Sequence, residues 1–299
     1  MWEPDPAWHA LTGGTGTSTE GVWRTEREGQ ALVVKRLRAP GPDDPPEFSE
    51  PHHFAYWRRQ ADVAISGVAD AGPGLRATPT DVGEDDDGIT LTSEWVEDAA
   101  LNGLYVAHAM GRFAGADLGR HAWLAVGQLR DRIRRVEQRG GWPTLARTTV
   151  ADVAERLWSR RETLLRALDA LPQVPQHGDP AAQNLPGRVG DDVIAIDWST
   201  VGHGPVGADL GLFLQNARED AEPLLDAYLM GLPGGLATGE EVALGMRVSA
   251  AYTALSRAEW ALARVAHGEG ALAGKYRHPS VAPHLRALQR QFPQIEALL

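Results

Sequence analysis

His177-Gly178-Asp179-Pro180-Ala181-Ala182-Gln183-Asn184, followed by Ile196-Asp197-Trp198, is the stretch on which the reading turns. Asp179 offers a carboxylate that can take a proton from a hydroxyl. Asn184 offers an amide oxygen from the far end of the same loop, and Asp197 a second carboxylate at the end of the next strand. This all-oxygen donor set suits Mg²⁺. Phosphoryl transfer needs such a set, because the transferred group carries dispersed negative charge and catalysis is mainly positioning and neutralisation. Leu185–Val189 and Val193–Trp198 flank Gly190-Asp191-Asp192, which predicts a tight hairpin able to bring Asn184 and Asp197 together. A short motif alone matches by accident often enough, so its surroundings matter.

Upstream, the chain is strand-rich. Gly21–Glu26 and Gln30–Leu37 flank Arg27-Glu28-Gly29, a hairpin signal. The apolar run Ala31-Leu32-Val33-Val34 ends on Lys35, and a proline-rich loop, Ala39–Pro46, follows. Phe54, Trp57, Ala61 and Ala64 recur at spacings of three and four, which predicts a helix over Glu47–Ser66. Leu75–Val82 and Ile89–Trp95 form a second expected hairpin around the acidic Glu84-Asp85-Asp86-Asp87-Gly88, read as a solvated tip. From about residue 100 helices dominate. Leu129, Ile133 and Val136 share a face that stops at Gly140-Gly141. Leu157, Leu164, Leu168 and Leu171 mark another helix. Thr238-Gly239-Glu240-Glu241 is a capping box opening a third, which runs towards His267-Gly268. The layout is a small β-rich part with one helix, then a larger helical part holding one hairpin, with the boundary near Glu94–Asp98.

H-G-D-x-x-x-x-N followed by I-D-W resembles the aminoglycoside phosphotransferase family, which is similar in fold to protein kinases; Gly178 stands where their H-R-D motif has Arg. Gly204-Pro205-Val206-Gly207-Ala208-Asp209-Leu210-Gly211 is similar to that family's segment after the metal-binding Asp. The resemblance implies an α+β, protein-kinase-like two-lobed fold: residues 1–95 as a nucleotide-binding lobe, 96–299 as a mainly helical catalytic and acceptor-binding lobe. It implies ATP and Mg²⁺ as cofactors and a small-molecule hydroxyl as acceptor, either of an antibiotic such as an aminoglycoside or of a metabolite such as a sugar, an amino alcohol or choline. Asp179 becomes the catalytic base, and Asn184 and Asp197 the Mg²⁺ ligands. His177 orients the loop, and Asp209 braces it through backbone amides.

Leu32-Val33-Val34-Lys35 resembles the V-A-I-K strand of kinases, so Lys35 is expected on the α- and β-phosphates. Gly14 and Gly16, in Thr12–Ser18, lie where a nucleotide loop belongs. Glu94 and Val96 supply hinge backbone for adenine, while Trp95 between them is expected to fill core. The helix glutamate that pairs with the lysine in kinases appears here as Gln60, with Glu50 the acidic alternative. That departure motivates a second reading, a nucleotide-binding pseudokinase. Acceptor candidates are Glu259 and Trp260, and Glu219, Asp220 and Glu222. A protein kinase is disfavoured, since no D-F-G and A-P-E pair is present and little chain separates Asp197 from Asp209.

Composition excludes several classes. The absence of cysteine removes disulfides, Cys-zinc sites and thiol nucleophiles. No H-E-x-x-H occurs. A net charge of −11 argues against nucleic acid and suits a cationic small substrate. No basic and apolar leader opens the chain, and no apolar run approaches a membrane span, so a soluble cytoplasmic protein with no membrane partner is expected. The sequence says nothing of oligomeric state.

Overall fold

The computed structural model describes residues 2–12, 18–70, 72–143, 149–265 and 277–299. Gly14, Gly16 and the helix stop at His267-Gly268 lie outside the described residues. β2 (Thr19–Arg27) and β3 (Gln30–Arg38) pair across Glu28 (φ 55°) and Gly29 (φ 80°). Two positive φ values in a two-residue turn match the twist of the flanking strands. β5 (Thr80–Asp85) and β6 (Gly88–Glu94) form the second hairpin, and β1 (His9–Ala10) lies at the edge, in the order β1-β2-β3-β6-β5. β3 is therefore central, with Lys35 opposite Val22 on one side and Leu91 on the other. Leu37, Ile89 and Leu91 pack with Ala61, Trp57 and Val82.

Only the last part of the helix expected over Glu47–Ser66 forms. α1 spans Arg59–Ser66, preceded by a single 3₁₀ turn at Pro46–Phe48 and a series of turns. Pro51 cannot donate a helical N–H and restricts the residue before it. The carbonyls of the segment find another donor: fully buried Arg59 donates to the carbonyl oxygens of Pro51, His53 and Phe54, and also to those of Trp123 and Ser199. One guanidinium replaces the hydrogen bonds that a helix would have made.

The expected strand Leu75–Val82 divides. β4 (Leu75–Arg76) leaves the main sheet and pairs parallel with β10 (Asp192–Ile194), itself antiparallel to β9 (Gly187–Val189). Pro79 sits in the gap and lacks the ladder donor. The β9–β10 hairpin is thus shorter than expected, and Asp197 lies beyond its end. The acidic tip is not merely solvated: Asp85 takes both Nη atoms of fully buried Arg36, at 2.9 and 2.6 Å.

A third sheet, β7 (Ala125–Val126), β11 (Gly202–Pro205) and β8 (Gln173–Gln176), lies within the helical part. Around it run α2 (Gly103–Phe113), α3 (Gln128–Gln138), α6 (Ala208–Leu214) and α7 (Ala221–Gly231). The helix expected across Leu157–Leu171 is two, α4 (Thr149–Ser159) and α5 (Arg161–Asp169), broken at Arg160. α8 (Gly239–Val265) opens on the Thr238 capping box, in which the Glu241 N–H donates to Thr238 Oγ1 and Glu241 Oε2 accepts the Thr238 N–H. It is buried on almost every face, the mark of a central helix. α6 crosses it so closely that a Cβ on Gly211 would lie 2.3 Å from the Met246 carbonyl oxygen. α9 (Ala282–Arg290) and α10 (Phe292–Glu296) pack on α8 from outside.

Candidate active site

β8 ends at Gln176, and the chain then enters a loop whose backbone is held by side chains. His177 is fully buried, its ring 4.7 Å from that of Trp198. Its Nδ1 accepts the Asp179 N–H at 3.3 Å, which leaves the proton on Nε2 to donate to the Ile196 carbonyl at 3.0 Å. The ring therefore ties the Asp179 turn to the segment that runs from β10 into Asp197. Gly178 has φ 83°, and a Cβ there would lie 2.4 Å from the Thr200 carbonyl oxygen. An arginine, as in H-R-D, would not fit. Asp209, in the first turn of α6, accepts the N–H groups of His177 at 2.7 Å and Gly178 at 2.9 Å. Burial pushes its carboxyl above the ordinary carboxylate value, and those two donors work against the rise.

Asp179 reaches the surface of this loop with its side chain about one-third exposed, at 33%. The Asn184 amide nitrogen donates to the Asp179 carbonyl at 2.9 Å and lies 3.4 Å from its Oδ2. With the nitrogen engaged there, the amide oxygen is the atom a cation would meet. Asp197 adopts the left-handed conformation (φ 59°, ψ 58°). A non-glycine residue in that region is strained, and such strain gathers at functional sites. Asp197 Oδ1 accepts from Lys35 Nζ at 2.8 Å, and the same ammonium donates to Gln60 Oε1 at 2.7 Å. Burial alone would raise the Asp197 carboxyl; the Lys35 charge and hydrogen bond outweigh it and hold the group below its usual value. β3, α1 and the loop after β10 thus meet at one ammonium. Gln60, not Glu50, lies on Lys35; Glu50 is exposed.

The donor set fits magnesium. Among the described residues no cluster of three or more His, Asp or Glu side chains is arranged around a common point. A magnesium ion that shares phosphate oxygens needs only one or two protein ligands, and Asn184 and Asp197 are two oxygen donors of that kind.

A family model described as the phosphotransferase enzyme family matches residues 11–243. The chain belongs to this family. It is a phosphotransferase acting on hydroxyl groups of small molecules. No curated protein matches the sequence significantly. Among solved structures, a choline/ethanolamine kinase family protein from Mesorhizobium loti is similar at 18% identity and a TM-score of 0.56, over 95% of this chain and 92% of that one. The amicoumacin kinase hAmiN, in complex with AMP-PNP, Ca²⁺ and amicoumacin, gives 12% and 0.58 over 99% and 93%. The GDP and kanamycin complex of APH(2″)-IIIa gives 11% and 0.61 over 96% and 93%. At such identities the likeness shows the fold: α+β, two-lobed and protein-kinase-like.

Several expected site residues lie elsewhere in the phosphotransferase. Glu259 is buried at 3% exposure and paired through both oxygens with Arg139, so it offers no free carboxylate. Trp260 is exposed and meets His284 edge-on. Asp220 precedes α7 and Glu222 lies in its first turn, both exposed, while Glu219 caps the Gly103 N–H at 2.9 Å. Trp95 does not fill core: it stacks under Arg24, at 4.6 Å, and donates from Nε1 to Glu97. Glu94 ends β6, and Val96 packs against Gly187. Two residues without a motif are present instead. Arg257 of α8 reaches Asp179 Oδ1 at 3.3 Å. Arg132 of α3 lines the cleft beside Lys35, Asp197 and Thr200. Neither has a fixed distance from the loop in sequence, so only packing reveals them. No helix among the described residues is long and apolar enough to cross a membrane.

Proposed function

We propose that the chain transfers the γ-phosphoryl group of ATP, with Mg²⁺, to a hydroxyl of a small molecule. The observation that carries this reading is the 2.8 Å contact of Lys35 with Asp197, which joins the central strand of the first lobe to the loop that follows Asp179 and Asn184. Residues 1–95 form the nucleotide-binding lobe in this reading, and 96–299 the catalytic and acceptor-binding lobe. Gly14, Gly16 and Lys35 serve the phosphates, and the main chain at Glu94 and Val96 serves the base. Trp95 is no donor there, because its N–H is taken by the Ala31 carbonyl at 3.0 Å.

Asp179 takes the proton as the acceptor oxygen attacks phosphorus. The new O–P bond forms while the bond to the β-phosphate oxygen breaks, and ADP leaves. Asn184 and Asp197 would hold magnesium, which neutralises charge on the phosphate oxygens. His177 and Asp209 keep the loop in place through backbone and do not touch the reactants. An ATP-dependent step of this kind belongs in the cytoplasm.

The similar structures include an amicoumacin kinase, a kanamycin complex and a choline/ethanolamine kinase family protein, so one fold serves antibiotics and metabolites alike. The acceptor is accordingly an antibiotic or a metabolite alcohol. A second reading, nucleotide binding without turnover, is favoured by one observation: the partner of Lys35 on α1 is the neutral amide of Gln60. ADP release with Mg²⁺-ATP and an acceptor panel, run beside Asp179→Asn, separates the two. Stimulation lost in the variant supports the kinase. Tight nucleotide binding with no acceptor-dependent release supports the second reading.

A further inference from the structure

The whole chain is acidic, but the surroundings of Asp179 are not. Arg132 lines both the cleft that holds Lys35 and Asp197 and a second cleft behind it, formed by Gln128, Gln176, Thr200, Ser249 and Thr253 among others. Its guanidinium lies over the Phe54 ring at 4.8 Å and makes no hydrogen bond or ion pair with a described residue. Burial pushes it down to about 10, with Arg257 and Arg135 adding to the fall and Asp179 opposing it, so it remains a cation at neutral pH. Arg257 lies 3.3 Å from Asp179 and donates from its other Nη to the neutral Gln215 Oε1 at 2.9 Å, which positions the guanidinium without balancing its charge.

The carboxylates that would balance these arginines are engaged elsewhere. Asp169, in the second cleft, is paired through both oxygens with Arg130. Asp131 is paired with Arg134 and Glu259 with Arg139. Among the described residues, a cationic acceptor would thus meet guanidinium groups with Asp179, and Asp197 already engaged by Lys35, to offset them. An independent observation also points to a ligand. Ser249 and Thr253, each 1% exposed, line the second cleft, and neither hydroxyl has a hydrogen-bond partner. Helical Ser and Thr can satisfy themselves on the carbonyl four residues back; these do not, and an unpaired buried hydroxyl is costly.

We infer that the acceptor is an anionic alcohol, a hydroxy acid or a sugar phosphate, whose carboxylate or phosphate sits on Arg132, with Arg257 beside it, while its hydroxyl faces Asp179 and its polar body meets Ser249 and Thr253. This rests on the phosphotransferase reading of the same site. A guanidinium offers a planar fork that matches carboxylate or phosphate. The rival source of the anion is the γ-phosphate of the nucleotide, since Arg132 also faces the Lys35 cleft.

The test uses the full chain with Mg²⁺ and AMP-PNP, and reads both protection from thermal unfolding and, with ATP, ADP release. Probes are glycerate, glycerol 3-phosphate, glucose 6-phosphate and tartrate, against glycerol, glucose, choline and kanamycin. Anionic members should protect and stimulate. Arg132→Gln should weaken their binding about 100-fold, and Arg132→Lys, which keeps the charge, should recover part of it. The melting temperature of each variant without probes shows that it folds. Protection by choline or kanamycin in place of the anions, or no protection by any anion, overturns the inference. So does loss of AMP-PNP affinity in Arg132→Gln with anion binding intact, which would assign the guanidinium to the nucleotide. If anions protect but ADP release is the same in wild type and Asp179→Asn, the phosphotransfer reading fails instead and the anion site stands.

Discussion

Asp179 is held by two long contacts, 3.3 Å to Arg257 and 3.4 Å to the Asn184 amide, and neither locks its carboxylate. Its backbone is fixed far more firmly than its side chain, which is what a group that must meet a mobile hydroxyl needs. Asp179→Asn keeps that scaffold and removes the proton acceptor. Turnover should fall by about 10²- to 10⁴-fold, with the melting temperature and AMP-PNP affinity little changed; ADP release beside a thermal melt reads both. Lys35 tests the other end of the site. Its ammonium is shared between an amide and a carboxylate, and a bond to a second carboxylate would be stronger than one to an amide. Gln60→Glu should therefore raise kcat/KM for ATP, by roughly fivefold if the stronger bond contributes about 1 kcal/mol. A fall would mean that Asp197 alone already balances the lysine and that added charge hinders its exchange for phosphate. Asp179, Asn184 and Asp197 were legible in the sequence because they belong to two short contiguous runs, and Lys35 because it ends an apolar one. Arg132 and Arg257 were not, since α3 and α8 meet the loop only through tertiary packing.

The elements that carry the site were legible where a local signal decides them. The two main-sheet hairpins announce themselves through Glu28-Gly29 and the acidic tip, α8 through its capping box, and the end of α3 through Gly140-Gly141. The segment before α1 misled because Phe54 and Trp57 continue the helical spacing of Ala61 while the carbonyls of Pro51, His53 and Phe54 are held by a side chain from the first turn of α1. Arg59 is that side chain, and it also ties the segment to Trp123 and to Ser199, two residues past Asp197. Arg59→Lys keeps the charge but offers three donors to five carbonyls in fixed directions. Each unsatisfied buried carbonyl costs about 1–3 kcal/mol, so the loss should be roughly 3 kcal/mol after partial relaxation. Urea denaturation should show it, with turnover falling as well because the Asp197 turn loses its support. Arg58→Lys, at a more exposed pair with Glu84, should cost less than about 1 kcal/mol. Equal effects at the two positions would remove Arg59 from this role.

Across the whole molecule, the same segment bridges the lobes: Val126 of β7 donates to the His52 carbonyl, and His53 packs against α3 with Asp131 3.6 Å from its Nε2. Burial, then the charge of Arg135, pushes His53 down to about 4 from 6.5. The folded state therefore keeps this ring neutral at a pH where the unfolded chain has protonated it. Between those values the unfolded state binds more protons, so the contribution of His53 is complete above about pH 6.5 and is lost as pH falls towards 4. Its upper bound is about 3 kcal/mol. Asp131 and Asp209, whose carboxyls burial pushes up, act in the opposite direction as pH falls, so the total curve does not isolate the ring. A variant does. His53→Gln keeps a polar side chain of similar reach and removes the titration, and its stability should fall less than that of wild type between pH 7 and pH 4.5. Urea midpoints at four or five pH values would give the difference. Parallel curves would mean that the lobes are joined in acid by groups other than His53, and the ring would be an ordinary packed side chain.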